Sequence, residues 1–518
     1  MQMFWGAAFC LPSGFSFTAL RFSTLVLGLI GVLTTYGLFL EIGASDGVAL
    51  FGALSFGFNP LYLVLSYTFM TDVPFVTFCL LSLYFLLRAM RTNSNREMAV
   101  GLLFACIALL TRQNGLAIFI AAGLALLAKE RLRARTALIA VIPILLGVAT
   151  QLLFQGWLNS THRLPVVYPL QMRWILNICS HMSWRSIVAF ADAYVVFMVY
   201  LGLFSFPFLM FLGPHKLISL FHSRSMTFVT VLFAAFAVHF LRHGKMPLLP
   251  NVLYDLGLGP AILYDTDTLQ LHHLPKAGDA FWTVMTFAGL VGAIFLFQAA
   301  LVAIAEIFSR GEYAPVRIRR QAMVLFLATG MIYIAPMVVL WSRQLVFDRY
   351  LLLLVPLATL LLVQSSATHE LAETGYRFSV PAVVTLALFG VFSVAGTHDY
   401  LSWNRVRWQA LNNLMQEQHV SPKQMDGGVE FNAWYLYSRS YPNPLLSVDI
   451  DWNKKPESME RKPAPTKSWW WVASDDYVVT FGPVPGFTEL KCYQFQRWLP
   501  PGEASILILH KTSAGASR

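Results

Sequence analysis

Runs of about 20 apolar residues, the length needed to cross a bilayer core as a helix, recur along this chain and limit its fold more than any other feature. They read from Phe17 to Leu40, Gly47 to Ser66, Val73 to Ala89, Thr136 to Trp157, Ile187 to Leu212 and Met226 to Leu241. Further runs extend from Phe281 to Phe308, Gln321 to Trp341, Tyr350 to Val363 and Phe378 to Ala395. The stretch from Met98 to Lys129 is read as two short helices joined at Thr111-Arg112-Gln113-Asn114-Gly115. That hairpin puts the basic cluster Arg88, Arg91, Arg96 on the same side as Lys129, Arg131, Arg133, Arg135, as the positive-inside rule prefers. The expected fold is mainly α, a polytopic membrane protein with about 12 membrane helices. A composition of 57% hydrophobic and 12% charged residues excludes a soluble enzyme and a disordered chain alike.

The net charge of +10 would suggest a nucleic-acid partner in a soluble protein, so its placement decides its meaning. From Gly396 on there are 13 Lys/Arg against 12 Asp/Glu, and the first 395 residues hold the other 24 against 15. There the excess sits in short loops, including Lys216, Arg224, Arg310, Arg317, Arg319, Arg320 and Arg377, all on the side assigned to the cytoplasm. The charge is therefore an orientation signal, and no nucleic-acid partner is expected. The opposite face receives the loops from Leu158 to Ser186 and Gly244 to Ala280, together with the tail. The apolar loop from Gly244 to Pro260 is expected to lie on or re-enter the membrane. Two domains are expected: 1–396 in the membrane and 397–518 outside it. The tail begins with an amphipathic helix, Tyr400 to Gln418, followed by β-like runs from Trp469 to Ala473, Tyr477 to Phe481, Leu490 to Trp498 and Ser505 to His510. That pattern predicts a small extracytoplasmic α+β domain. Cys10, Cys79 and Cys106 sit in apolar segments; only Cys179 and Cys492 would face an oxidising compartment, and nothing in their spacing demands that they pair.

The polar candidates gather on the outer face. Asp72 starts an apolar helix with Pro74 in its first turn, so Thr71 or Asp72 reads first as a cap, and Asp72 also as a base, a metal ligand or an acceptor for a substrate hydroxyl. Arg112, beside Gln113 and Asn114 at the tip of the hairpin, suits either an interfacial anchor or a lipid phosphate. Arg343, Asp348 and Arg349 form a second cluster that reads as an anionic headgroup site or as an aromatic belt with a surface ion pair. Asp265, Asp267, His272 and His273 resemble metal ligands only by composition, so a divalent metal is left open. His398 and Asp399 follow the last span, where Asp399 reads as an N-cap or, with His398, as a substrate contact. Asp192, inside a span, is a functional candidate by default unless a neighbour such as Arg185 satisfies it.

The stretch FSFTALRFSTLVLG from Phe15, Phe58-Asn59-Pro60, SYTFMTDVPF ending at Phe75, LLTRQNG ending at Gly115 and FDRYLLLLVP ending at Pro356 resemble, in wording and order, the GT-C membrane glycosyltransferases. The nearest group is family 39, the dolichyl-phosphate-mannose-protein mannosyltransferase-like set of bacteria, over about Phe15 to Val363. The resemblance implies an inverting transfer of one sugar from a polyprenyl-phosphate donor to a lipid, glycan or protein acceptor. The setting it implies is the outer face of the bacterial cytoplasmic (inner) membrane. Arg112, Arg343 and Arg349 match the need for positive groups at the leaving phosphate, and Asp72 matches a second acidic position of many members. Gln113, Asp348, His398 and Asp399 are the substrate-binding candidates.

Members of that family begin with a further helix and an outer loop that carries the principal acidic residue, often the catalytic base, so the resemblance places the principal base upstream of Met1 and leaves Asp72 as a second catalytic carboxylate. This chain opens at Met1-Gln2-Met3-Phe4-Trp5-Gly6, and nothing from Met1 to Ser16 is acidic. The expectation is a start internal to a longer reading frame, with one more span and an Asp or Glu upstream. A transporter or flippase of a lipid-linked saccharide is the alternative, although such proteins place ionisable groups and broken helices around a midplane site.

Overall fold

The structure is a computed structural model and describes residues 1–12, 14–128, 134–163, 167–221, 223–242, 244–253, 263–269, 271, 273–274, 277–308, 314–341, 346–365, 379–436 and 474–512. The chain divides into two compact units. The first comprises Met1–Pro165, Met172–Tyr254 and Gly278–Ser393; the second comprises Val166–Gln171, Asp255–Ala277 and Val394–Arg518.

Helices build the first unit: α1 (Gln2–Cys10), α2 (Phe17–Glu41), α3 (Asp46–Gly57), α4 (Pro60–Ser66), α5 (Asp72–Thr92), α6 (Asn95–Thr111), α7 (Leu116–Leu127) and α8 (Ala134–Ser160). After α9 (Val167–Ser180) come α10 (Trp184–Phe204), α11 (Phe206–Leu212), α12 (Pro214–Ser219), α13 (Arg224–Leu241), α14 (Asp279–Phe308), α15 (Ala314–Leu340) and α16 (Leu354–Ser365). Helix α17 (Val380–Gln416) runs on into the residues of the second unit. Among the described residues, nine helices are long and apolar enough to cross a membrane, and the α3–α4 pair, bent by 65°, makes a tenth. With α6 and α7, the chain is a multi-pass membrane protein with a helix for each span read from the sequence.

Local chemistry explains where the expected spans break. Pro60 cannot continue α3, and the Asn59 side chain caps α4 by accepting the N–H groups of Leu61 and Tyr62 at 3.0 and 3.4 Å. Ser205, two residues before Pro207, separates α10 from α11 within the single span expected from Ile187 to Leu212. At Gly396, by contrast, the expected boundary between a span and a separate tail helix is absent. One glycine costs a helix only about 1 kcal/mol, and no proline follows it, so α17 runs unbroken to Gln416. Asp399 therefore lies inside a helix and is not an N-cap.

The hairpin at Arg112 holds. The far end of α5 meets the start of α6 through Arg88 Nε and Glu97 at 2.6 Å, while the Asp72 end of α5 meets Arg112 after the last turn of α6. Helix α7 then returns, because the carbonyl of Ala125 accepts from Gln321 near the start of α15 at 3.2 Å. The other end of α15 carries Tyr333, whose ring stacks on Phe75 at 5.9 Å near the start of α5. Gly115 makes the tight turn possible: a Cβ there would stand 2.6 Å from the backbone nitrogen of Leu109. At the basic end, Arg91 pairs with Glu41 at 2.9 Å and Arg319 with Glu306 at 3.0 Å. Helices α10 and α14 touch backbone to backbone, and a Cβ on Gly202 would lie 2.2 Å from the carbonyl oxygen of Gly289.

In the second unit a four-stranded sheet is ordered β1-β2-β4-β3, with β1 (Met425–Asp426), β2 (Tyr477–Thr480), β3 (Phe487–Trp498) and β4 (Pro501–Lys511). The β1–β2 pair is parallel and the others antiparallel, with Trp498 opposite Pro501 at the turn of the β3–β4 hairpin. Trp403 and Leu411 of α17, Phe431 of α18 (Val429–Leu436), Val479, Ile506 and Ile508 form its core. Three of the four β-like runs expected in the tail are these strands; the run from Trp469 to Ala473 lies outside the described residues. All five cysteines are free.

Candidate functional site

The residues that start α5 and end α6 are brought together at one end of the first unit. Asp72 is 2% exposed, and its Oδ1 accepts from Arg112 Nη1 at 2.5 Å across a separation of forty residues. Thr71, the N-cap of α5, makes no side-chain capping bond, so this ion pair rather than a cap is what Asp72 supplies. Asp72 Oδ2 carries no hydrogen bond among the described residues. The Arg112 guanidinium carbon sits 4.9 Å from the centre of the Tyr350 ring and 6.0 Å from that of Phe75. Tyr333 fixes this floor by donating its hydroxyl to the carbonyl of Tyr350 at 2.8 Å.

Arg349 reaches the same ring from its own segment. Its guanidinium lies 5.7 Å from the Tyr350 ring centre, 5.0 Å from that of Phe347, and 3.6 Å from the sulfur of Met70. Met70 stands two residues before Asp72, so the two arginines, one carboxylate and one tyrosine ring close into a single cluster. Arg349 makes no ion pair among the described residues, and its Nε is buried without a hydrogen-bond partner. The cluster thus sets two guanidiniums around one aromatic ring, with the Asp72 carboxylate ion-paired to Arg112.

Asp348 is held by main-chain donors. It is fully buried, and its Oδ1 accepts from the N–H groups of Val252 at 3.1 Å and Arg349 at 2.6 Å, while Oδ2 accepts from Leu253 at 2.5 Å. The apolar loop from Gly244 is held at further points. Tyr200 of α10 offers its hydroxyl oxygen to the N–H groups of Leu248 and Leu249 at 2.8 and 2.9 Å, and Thr286 of α14 accepts from Met246 at 3.0 Å. Met246, Leu249, Val252 and Leu253 are buried, which accounts for the apolar composition of this part of the loop.

The remaining candidates fall elsewhere. Gln113 opens the 3-10 turn that follows Arg112. Arg343 and His272 lie outside the described residues. Asp192 is partly buried on α10 with no ion pair to Arg185 or any other described residue. In the second unit Asp265 is fully buried, accepts from the Phe481 N–H at 2.9 Å and lies 3.9 Å from His273 Nε2. Burial pushes its carboxyl up to about 7, against the lowering effect of backbone N–H groups from Phe481, Thr266 and Gly482. Among the described residues no three His, Cys, Asp or Glu side chains gather as a metal site. His398 and Asp399 also belong to the second unit, where Asp399 is fully buried.

The charged members of the cluster stand out as candidates in the sequence; Tyr350, Tyr333, Phe75 and Met70 do not. Tyr350 carried a usable signal, since an aromatic residue beside an arginine at a span boundary is a natural cation–π partner. The Met70 contact, made across 279 residues, carried none.

Residues 3–154 match the family model of dolichyl-phosphate-mannose-protein mannosyltransferase. No curated protein and no solved structure matches the chain. The matched segment contains Asp72 and Arg112 and ends within α8. It supports a membrane glycosyltransferase of the GT-C type.

Proposed function

We propose that the protein transfers a sugar from a polyprenyl-phosphate donor to an acceptor at the outer face of the bacterial cytoplasmic membrane, with inversion at the anomeric carbon. The observation that carries this reading is the pair of arginines, Arg112 and Arg349, each within 6 Å of the centre of one Tyr350 ring, with Asp72 ion-paired to Arg112. In such a transfer the acceptor oxygen forms its bond to the anomeric carbon as the bond to the phosphate oxygen breaks. The phosphate leaves with added negative charge, and preorganised cations lower that barrier most.

Arg349 is assigned to the phosphate, because among the described residues its guanidinium makes no ion pair and its Nε–H has no acceptor. Arg112, which lies against the same ring, shares the task, and Arg343 is assigned to the phosphate as well. Asp72 fixes Arg112 through Oδ1 and presents Oδ2 to the acceptor hydroxyl, whose proton it takes. Gln113 is assigned to the sugar beside Arg112. Asp348 acts through Arg349, by holding its backbone and the loop from Gly244 in place. A transporter would place such groups near the middle of its spans. Here they stand at helix ends.

The test is transfer of radiolabelled sugar from polyprenyl-phosphate mannose to endogenous acceptors in membranes that contain the protein. Asp72→Asn and Arg349→Ala, each expressed at the wild-type level, are expected to lose transfer. Full activity in both would remove the assignment, and movement of the donor across the bilayer without sugar transfer would favour a flippase.

A further inference from the structure

A second built site lies in the C-terminal unit, on residues that the transfer chemistry above does not use. Asp399 is fully buried and accepts the backbone N–H groups of Trp498 on Oδ1 at 2.7 Å and of Leu499 on Oδ2 at 2.8 Å. Its Oδ1 also lies 3.0 Å from His398 Nδ1. A carboxylate oxygen can only accept, so the imidazole donates from Nδ1 in that contact, and in the neutral form of the ring the lone pair is left at Nε2. The His398 ring lies flat on the Trp498 indole, 3.9 Å between centres and 8° from parallel, so two contacts fix its orientation.

The His398 side chain is 32% exposed, and Nε2 has no partner among the described residues. Trp498 stays 50% exposed although His398 covers one face of its ring. An oriented acceptor nitrogen therefore stands beside an open aromatic surface.

We propose that His398, Asp399 and Trp498 form a binding site for a sugar unit of the acceptor. The electron-rich face of the indole attracts the polarised C–H groups of a pyranose ring, and Nε2 accepts a hydrogen bond from one of its hydroxyls. Asp399 is the positioning residue, which holds the tautomer and ties His398 to the β3–β4 turn. The choice of a sugar rests on the glycosyltransfer reading; the orientation of the imidazole does not.

The experiment is carbethoxylation of histidines in the full-length detergent-solubilised protein, read by mass spectrometry, with and without 100 mM methyl α-mannoside or N-acetylglucosamine. The exposed His162 and His419 serve as internal references. Either sugar is expected to slow modification of His398 at least threefold relative to those references, and Trp498→Leu is expected to abolish that protection while His398 still reacts. Absence of protection by both sugars, or equal protection in Trp498→Leu, would overturn the proposal. Protection by dodecyl phosphocholine in place of the sugars would make the site a lipid contact and overturn it as well. Because this readout needs no donor, loss of protection in a protein that still transfers sugar counts against this site alone. Protection in a protein that transfers nothing counts against the transfer reading alone.

Discussion

Arg112 and Arg349, 237 positions apart in the sequence, lie within 6 Å of the same Tyr350 ring, yet only Arg112 has a carboxylate partner among the described residues. That asymmetry separates their expected behaviour. Arg349→Lys keeps a charge but loses the planar fork and its stacking, and is expected to lower transfer about tenfold or more, mainly through weaker donor binding. Steady-state kinetics in donor concentration check this: KM for the donor should rise more than kcat falls.

The Asp72–Arg112 pair is buried enough for removal of one partner to leave an uncompensated charge. Loss of either side chain is expected to cost about 3–5 kcal/mol of stability. The double substitution Asp72→Asn with Arg112→Gln should cost less than the two single changes added together. Thermal unfolding of the four proteins in one detergent gives the coupling directly, and strict additivity would argue against the pairing.

The α10–α14 contact makes a prediction independent of function. Gly202→Ala places a methyl group on the backbone of α14, and is expected to destabilise the protein by about 1–3 kcal/mol. Gly156→Ala, where a Cβ would meet nothing within 4 Å, should be neutral or stabilising by up to about 1 kcal/mol. Matched melting curves of the two variants decide it.

Asp265 gives the C-terminal unit a pH dependence. Its carboxyl titrates near 7 when folded, above the ordinary value of about 4 for the unfolded chain, so the folded state binds the proton more tightly. Stability from this group is full below about pH 4 and is lost as the pH rises towards 7, by an amount on the order of a few kcal/mol. Hydrogen exchange at the Phe481 amide should speed up between pH 5 and 8 beyond the intrinsic base dependence, and Asp265→Asn should flatten the excess.

Much of this architecture was legible because hydrophobic length is a one-dimensional signal. The hairpin at Arg112 followed from charge sidedness alone, and Ala125 against Gln321 bears it out. Asp72 and Arg112 were each singled out as candidates, but their pairing was not, since a cap at the start of α5 uses the same residue types. For Asp348, the sequence gives no view of a carboxylate surrounded by main-chain N–H groups. The continuity of α17 was missed for a similar reason: a hydropathy drop at Gly396 marks a change of surroundings, and the helix passes through it unbroken.

The grip of Asp348 on the loop bears on how chains of this kind can diverge. It holds Val252 and Leu253 by their backbone N–H groups and uses neither side chain. As far as this contact is concerned, only proline is barred from those two positions. The side chains at these two positions answer to packing alone, so apolar residues of similar size can replace them while the arginine beside Asp348 keeps its place.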